Sequence, residues 1–315
     1  MGWVTTGDVV EFLEAAGSFL RAERVRNTIL LTVSETARIH PEHDAAGNDA
    51  AGNDADPAKL PLFGWWTDAP AAGNGGNGGV VRGAFLQTPP FPVLLSAVPP
   101  EAAAELAATL EGRPLRGVNA HQEVASAFAS AWSDNTGCEV GVHLRTRLYR
   151  LAELAAPDPP PDGAPRTPGD EDAALLAEWL EAFSIEVNEI GGSDHAAQVR
   201  DRLSYGGLTL WESGGAPVCL AGRTRQVAGM VRVGPVYTPP RWRGRGYASA
   251  ATAEVSRVAL AAGAEEVLLF TDLANPVSNS IYQRIGYRQV EDRVVLTFIE
   301  LLLLLVNLAF RAGVC

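Results

Sequence analysis

Apolar and polar positions alternate in two successive sets along the 315 residues. In the first set, NTILLTV (27–33), LFGWWTD (62–68), VVRGAFL (80–86) and FPVLLSA (91–97) are short apolar runs closed by Pro, Gly or Asp. That pattern predicts strands. A helix follows at EAAAELAATL (101–110), then a strand at LRGVNA, a helix at HQEVASAFASAW and a strand at GVHLRTRLYRL. The second set opens with two helices, 172–187 and 194–203, with Asp194 placed to cap the second. LTLWES, APVCLAG and GMVRVGPVY then read as strands. A helix runs from Gly246 to about Ala262 and stops at Gly263. EVLLFTD (266–272) is apolar throughout, as a parallel strand covered on both faces would be. A short helix at 276–285 and a last strand, RQVEDRVVLTF, close the set. Both sets share the order strands, helix, strand, helix, strand. This topological echo is compatible with a duplication, which predicts that the halves superpose.

The Pro-rich AAPDPPPDGAPRTPGD (155–170) reads as a semi-rigid linker. It predicts an N-terminal domain over 1–155, a linker over 156–169, a second domain over 170–298 and an apolar extension over 299–315. Within the first domain, 44–58 holds a tandem AAGND repeat and 71–79 is nearly all turn formers. Both read as solvated loops without chemistry. IELLLLLVNLAF (299–310) is intensely apolar but interrupted by Glu300. Even with the preceding VVLTF it falls short of the ~20 residues of a spanning helix. A docked helix, an extended terminus and a membrane anchor stay open there.

The formal net charge of -12 argues against a general nucleic-acid binder, which needs a basic face. Lys59 is the single lysine, and the remaining basic residues are arginines. With the Ala, Gly and Pro richness, this fits a GC-rich bacterial genome. Cys138, Cys219 and Cys315 are odd in number and far apart, so no disulfide framework or metal site is expected. The five histidines form no ligand pattern. Acidic residues interrupt the N-terminal segment before any long apolar core. A cytoplasmic protein is the expectation.

Candidate chemistry gathers in RWRGRGYASA (241–250). Pro239 and Pro240 end the preceding strand, because neither can donate to a ladder. Arg241, Gly244 and Gly246 then form R-x-x-G-x-G, leading directly into a helix. The glycines permit tight turns and close ligand approach. The first helical N–H groups and the helix dipole favour an anion. Arg243 and Arg245 add formal charge. Alone, the pattern fits a solvated Gly-rich loop as well as a phosphate cradle. It is neither a Walker loop nor a dinucleotide fingerprint. Downstream, in DLANPVSNSIYQRIGY (272–287), Asn275 can cap, Pro276 suits the first helical position, and Ser278 and Tyr282 share one helix face.

With both stretches in this order, residues 170–298 resemble the GNAT acyltransferase superfamily. The resemblance rests on Arg241, Gly244 and Gly246 as the acyl-CoA loop, and on Asn275, Ser278, Ile281 and Tyr282 with Gly286 and Tyr287. It implies an α/β fold with a mixed sheet, in which two parallel strands splay into a cleft. It implies acetyl-CoA as acyl donor, a primary amine as acceptor, direct transfer and no metal. Val236 and Tyr237 would lie along the pantetheine arm. Arg241, Arg243, Gly244, Arg245, Gly246, Tyr247 and Ala248 would surround the pyrophosphate, with Asn275 and Ser278 at the pantetheine channel. Tyr282 would protonate the leaving thiolate. Glu186, Glu189 and His195 lie on helices that commonly wall the acceptor site, but read first as surface charges. Cys219 reads as a small buried thiol. The first half lacks the loop motif and reads as a degenerate relative or an unrelated partner domain. A non-catalytic acyl-CoA-binding, regulatory or partner-recruiting protein is the alternative.

Overall fold

The computed structural model describes residues 1–39, 60–68, 79–190 and 194–299. Most of the two low-complexity loops, Lys59 and the apolar run after Ile299 lie outside the described residues. The chain divides into two compact units. Unit 1 comprises Met1–Arg145 and the chain from Asp292 onward, and unit 2 comprises Thr146–Glu291.

From the N-terminus the elements are β1 (Gly2–Thr6), α1 (Val9–Ala22), α2 (Thr28–Ile39), β2 (Leu62–Thr67), β3 (Val81–Gln87) and β4 (Val93–Leu95). Next come α3 (Pro100–Thr109), β5 (Gly117–His121), α4 (Gln122–Thr136) and β6 (Glu139–Leu151). The second series is β7 (Ala164–Arg166), α5 (Ala173–Glu186), α6 (His195–Ser204), β8 (Leu208–Ser213), β9 (Ala216–Arg223) and β10 (Met230–Tyr237). It ends with α7 (Tyr247–Ala261), β11 (Glu266–Asp272), α8 (Pro276–Arg284) and β12 (Tyr287–Ile299). The echo read from sequence is therefore a repeat of the described α-helices and strands: one strand, two helices, three strands, then helix, strand, helix, strand.

Pairing repeats as well. In unit 1, β1, β2, β3 and β4 pair antiparallel in turn, and β4 then pairs parallel with β5. In unit 2, β7, β8, β9 and β10 pair antiparallel in turn, and β10 pairs parallel with β11. The strand completing each parallel pair is exchanged. Thr146–Arg150 of β6 lies antiparallel to β11, and Arg293–Thr297 of β12 lies antiparallel to β5.

One strand expectation is corrected. Residues 27–33 do not form a strand; they open α2. Thr28, Leu31 and Ser34, with Leu30 and Ala37, are buried at helical spacing, and the helix-compatible SETAR continues the run. An unbroken apolar stretch carries no period of its own, so its neighbours decide. α1, unassigned in the sequence, is held by Asp8, whose carboxylate accepts from Val10 N at 2.7 Å. The unit 1 core joins α3, α4, β5 and β12 through Leu106, Phe128, Trp132, Val118, Val294 and Leu296.

Part of the Pro-rich stretch is ordered as β7 at the edge of unit 2. Its Pro165 is tolerated because an edge strand needs a ladder on one side only. Arg166 on this strand donates from both terminal nitrogens to Asp172 at 2.6 and 2.7 Å, and from Nε to Glu212 at 2.9 Å. Asp172 in turn accepts from Gly169 N and stands at the start of α5. These Arg166 hydrogen bonds, foremost among the causes, hold the Asp172 carboxyl below its ordinary value despite burial. Its side chain is only 8% exposed, so losing the charge strands a guanidinium. Asp172→Ala is expected to cost about 3 kcal/mol, the low end for a broken buried pair because Glu212 still faces Arg166. Because the folded-state value is depressed, this contribution is present above the unfolded-state value near 4 and is lost as pH falls through the folded one. Urea melts at pH 7 and pH 3 test both points; an equal penalty at both would contradict the pairing account.

Candidate functional site

The candidate site lies within unit 2, where β10 and β11 part. Their parallel register runs from Met230 opposite Glu266 to Val233 opposite Leu269 and stops. Both strands continue, to Tyr237 and Asp272. On its other side, β10 shifts register against β9 between Val233 and Val236. A bulge of this kind re-aims a strand. The result is a cleft bounded by Gly234–Tyr237 and Phe270–Asp272.

Beyond Tyr237 the chain turns through a short 3-10 segment at Pro240–Trp242 and enters α7. Gly244 and Gly246 adopt φ of +77° and +84°, the left-handed region closed to most side chains. Gly246 is the residue before the first helical turn, and no side chain caps that turn. Asp8, Asp194 and Asn275 all cap their helices with side-chain oxygens, so α7 differs from these. Its unpaired N–H groups, starting with Tyr247 and Ala248, form an anion-ready end.

The arginines divide the work differently than the sequence implied. Arg241 and Arg245 stand over the Trp242 ring at 5.8 and 5.0 Å. Arg243 turns to the protein instead. It donates to the Thr238 carbonyl at 2.8 Å and, through Nη2, to both Glu186 oxygens at 2.7 Å. Arg243 thus pins the loop to α5, and Glu186 is engaged as its counter-charge. Tyr247 is buried and its hydroxyl donates to Ser213, leaving only its backbone to face a ligand. Tyr237 likewise packs its ring against Trp179 at 6.0 Å, while Val236 is half-buried on the unit 2 core.

On α8, Asn275 accepts from Ser278 N at 3.0 Å, making it the expected cap. The Ser278 hydroxyl hydrogen-bonds the Tyr282 phenol. Tyr282 sits between Tyr149 and Tyr287, with ring centroids at 6.5 and 6.2 Å. Burial, with the nearby Cys219 adding, pushes its pKa up to about 12. Cys219 accepts from the Thr238 hydroxyl at 3.2 Å, and burial pushes its own thiol up to about 12. It is a buried thiol, as its sequence context implied, and stays protonated at neutral pH.

The sequence missed a cavity of about 410 Å³ opening at the head of the cleft. Gly234, Pro235 and Phe270 form one side of it, and α5 and α6 contribute Phe183 and Arg202. Glu189, read as a surface charge, stands at its wall and accepts from the Ser184 hydroxyl. Arg232 also lines it; a charged residue inside the apolar strand MVRVGPVY was the available signal. His195 heads α6 outside the cavity lining, with Nδ1 buried and unpartnered. Among the described residues no cluster of three potential metal ligands occurs, and no helix is long and apolar enough to cross a membrane.

Splayed parallel strands, a bulge and a glycine turn into an uncapped helix define a class: the chain has the GNAT fold, with an α/β architecture and the same order of elements in both units. Residues 218–296 match the family model of FR47-like protein. A protein from Drosophila is similar over 94% of this chain and 98% of its own, at 15% identity and a TM-score of 0.62. A GCN5-related N-acetyltransferase from Sphaerobacter thermophilus is similar over 95% and 96%, at 15% identity and 0.58. A GNAT-family acetyltransferase from Colwellia psychrerythraea covers 95% of this chain with 100% of its own, at 11% and 0.55. Among curated proteins none matches the sequence. The resemblance read from the second half thus holds for the fold of nearly the whole chain. Unit 1 has the strands without the cradle: β4 leads through Pro99 and Pro100 into α3, and neither proline has an N–H to offer.

Proposed function

We propose that this chain is an N-acyltransferase that moves an acetyl group from acetyl-CoA to a primary amine by direct attack. One observation carries the reading. The left-handed turn at Gly244 and Gly246 delivers an uncapped 15-residue helix to the end of a strand whose neighbour has parted. A pyrophosphate fits the helix end, and an extended pantetheine arm fits the opened edge of Gly234–Tyr237. Arg241 and Arg245, stacked on Trp242, add positive charge. Asn275 and Ser278 line the far side of the arm.

The amine nitrogen, neutral before attack, forms the new bond to the thioester carbonyl carbon as the carbon–sulfur bond breaks. An ordinary alkyl amine has a pKa near ~10.4, so the site must favour its neutral form. A backbone donor near Val236 suits the carbonyl oxygen as its charge grows. Tyr282 gives its proton to the departing sulfur, and the nitrogen's surplus proton restores the phenol, directly or through water. The net products are the amide and the free thiol. A phenol with a pKa near 12 stays protonated throughout the working range. Turnover therefore shows no alkaline decline from Tyr282 below about pH 10. A descending limb there that vanished in Tyr282→Phe would contradict this.

Calorimetry with acetyl-CoA, followed by thiol release with a panel of amines, tests the whole reading on the full-length chain. Saturable binding with amine-dependent release supports it. Binding without release would favour a non-catalytic acyl-CoA-binding protein, and no binding would sink both.

A further inference from the structure

The cavity at the head of the cleft holds two guanidinium groups with no carboxylate paired to either among the described residues. Arg202 reaches in from α6 and donates from Nη1 to the Gly234 carbonyl at 3.1 Å. Room for it exists because β9 carries Gly222 beneath; a Cβ there would stand 2.7 Å from Arg202 Nη1. Arg232 enters from β10, and its Nη1 is sealed from solvent without a hydrogen-bond partner. Burial pushes Arg232 down to about 10, and the like charge of Arg202 pushes in the same direction. Asp201 and Glu189 attract Arg202 at longer range without forming an ion pair; Glu189 lines the same cavity, but its side chain is solvent-exposed and accepts from Ser184. Two neighbouring cations in a partly closed space are costly unless something anionic joins them. Leu180, Phe183 and Phe270 give the wall apolar contacts beside the polar Ser184, Gln198 and Thr224, and 410 Å³ lies within the size range of small-molecule sites.

We infer that this cavity binds the acceptor, and that the acceptor is a small amine carrying an oxyanion, a carboxylate or a phosphate, held by Arg202 and Arg232. The inference rests on the acyltransferase reading. Geometry links the two. Gly234, Pro235 and Phe270 border both the cavity and the cleft, and Phe270 directly follows Leu269, the last residue of β11 paired with β10. An anion seated on the arginines therefore leaves the amine end of a short molecule facing the point where the thioester carbonyl would lie. Arg202 and Arg232 act here as substrate-binding residues that set specificity.

The test compares matched acceptors on the full-length protein: leucine against leucinamide, and phosphoethanolamine against ethanolamine. In at least one pair the anionic member is expected to show a kcat/KM about 10- to 100-fold higher, the range for one charge-assisted hydrogen bond. The pair that responds distinguishes carboxylate from phosphate. Arg232→Met, which replaces a buried charge with an apolar chain of similar length, should fold with an unchanged or raised Tm. It should erase the preference while leaving acetyl-CoA affinity intact. Calorimetry with leucine and with phosphoethanolamine reads the same site without turnover. Equal use of charged and neutral members would overturn the inference. So would a preference that survives Arg232→Met, or absence of both binding and turnover by the anionic probes. Loss of acetyl-CoA binding in the wild type is a separate result and strikes the acyltransferase reading instead.

Discussion

Tyr282→Phe is expected to lower kcat by about 100-fold or more, with the KM for acetyl-CoA changed little. The phenol is placed to act late, when negative charge has reached the sulfur. Removing it subtracts an interaction made in the transition state and not in the ground state. The ring stays, so its contacts with Tyr149 and Tyr287 survive and the fold is spared. Loss of the hydroxyl frees one hydrogen bond of Ser278. Ser278→Ala in parallel separates that change from loss of the acid and is expected to cost far less. Steady-state kinetics at saturating acetyl-CoA decide the matter. A mutant with wild-type turnover would remove Tyr282 from the chemistry.

The second large effect falls on binding. Gly246→Val should weaken acetyl-CoA binding by about 10- to 100-fold, whereas Arg245→Ala should change it by only a few-fold. Space is not the reason, since the nearest atom to a Cβ on Gly246 is Pro161 Cβ at 3.6 Å, an ordinary contact. Conformation is the reason. A φ of +84° costs a non-glycine residue about 1–3 kcal/mol, more for a β-branched one. Relieving that strain turns the first N–H groups of α7 away from their target. Arg245 already spends its charge on Trp242 at an exposed site, where a single cation contributes modestly. Calorimetric titration of both variants gives the order, and the reverse order would mean the stretch acts as a charge patch.

Much of this site was legible because it is written in local rules. R-x-x-G-x-G before a helix and Asn275-Pro276 before another are turn and cap chemistry, read within a few residues. β11 was bounded residue for residue, since its seven residues, between a Gly-ended helix and an Asn-Pro helix start, leave room for a strand and too little for a helix. The strand assigned to 27–33 failed because the β-compatible run Thr28–Val33 masks the period, and tertiary burial chose the helix. β7 was hidden because three residues around a proline make no pattern; only the Arg166 pairing with Asp172 and Glu212 reveals why the edge holds. The cavity was least legible. Arg202, Gly222 and Arg232 come from three elements and mean little apart. For Arg243 the sequence showed only the motif position; its pairing with Glu186, 57 residues earlier, was out of reach of any local rule.

The exchanged strands bear on how the chain is made. During synthesis β5 emerges long before the strand that completes its unit, and its partner Arg293 lies 174 positions beyond Asn119. Until then the outer edge of β5 is an open template, and so is a core that needs Val294 and Leu296. Unit 1 cannot complete its sheet until the chain has been made through Thr297. For that interval the first half carries an unpaired strand edge and an incomplete core, the kind of surface that invites association.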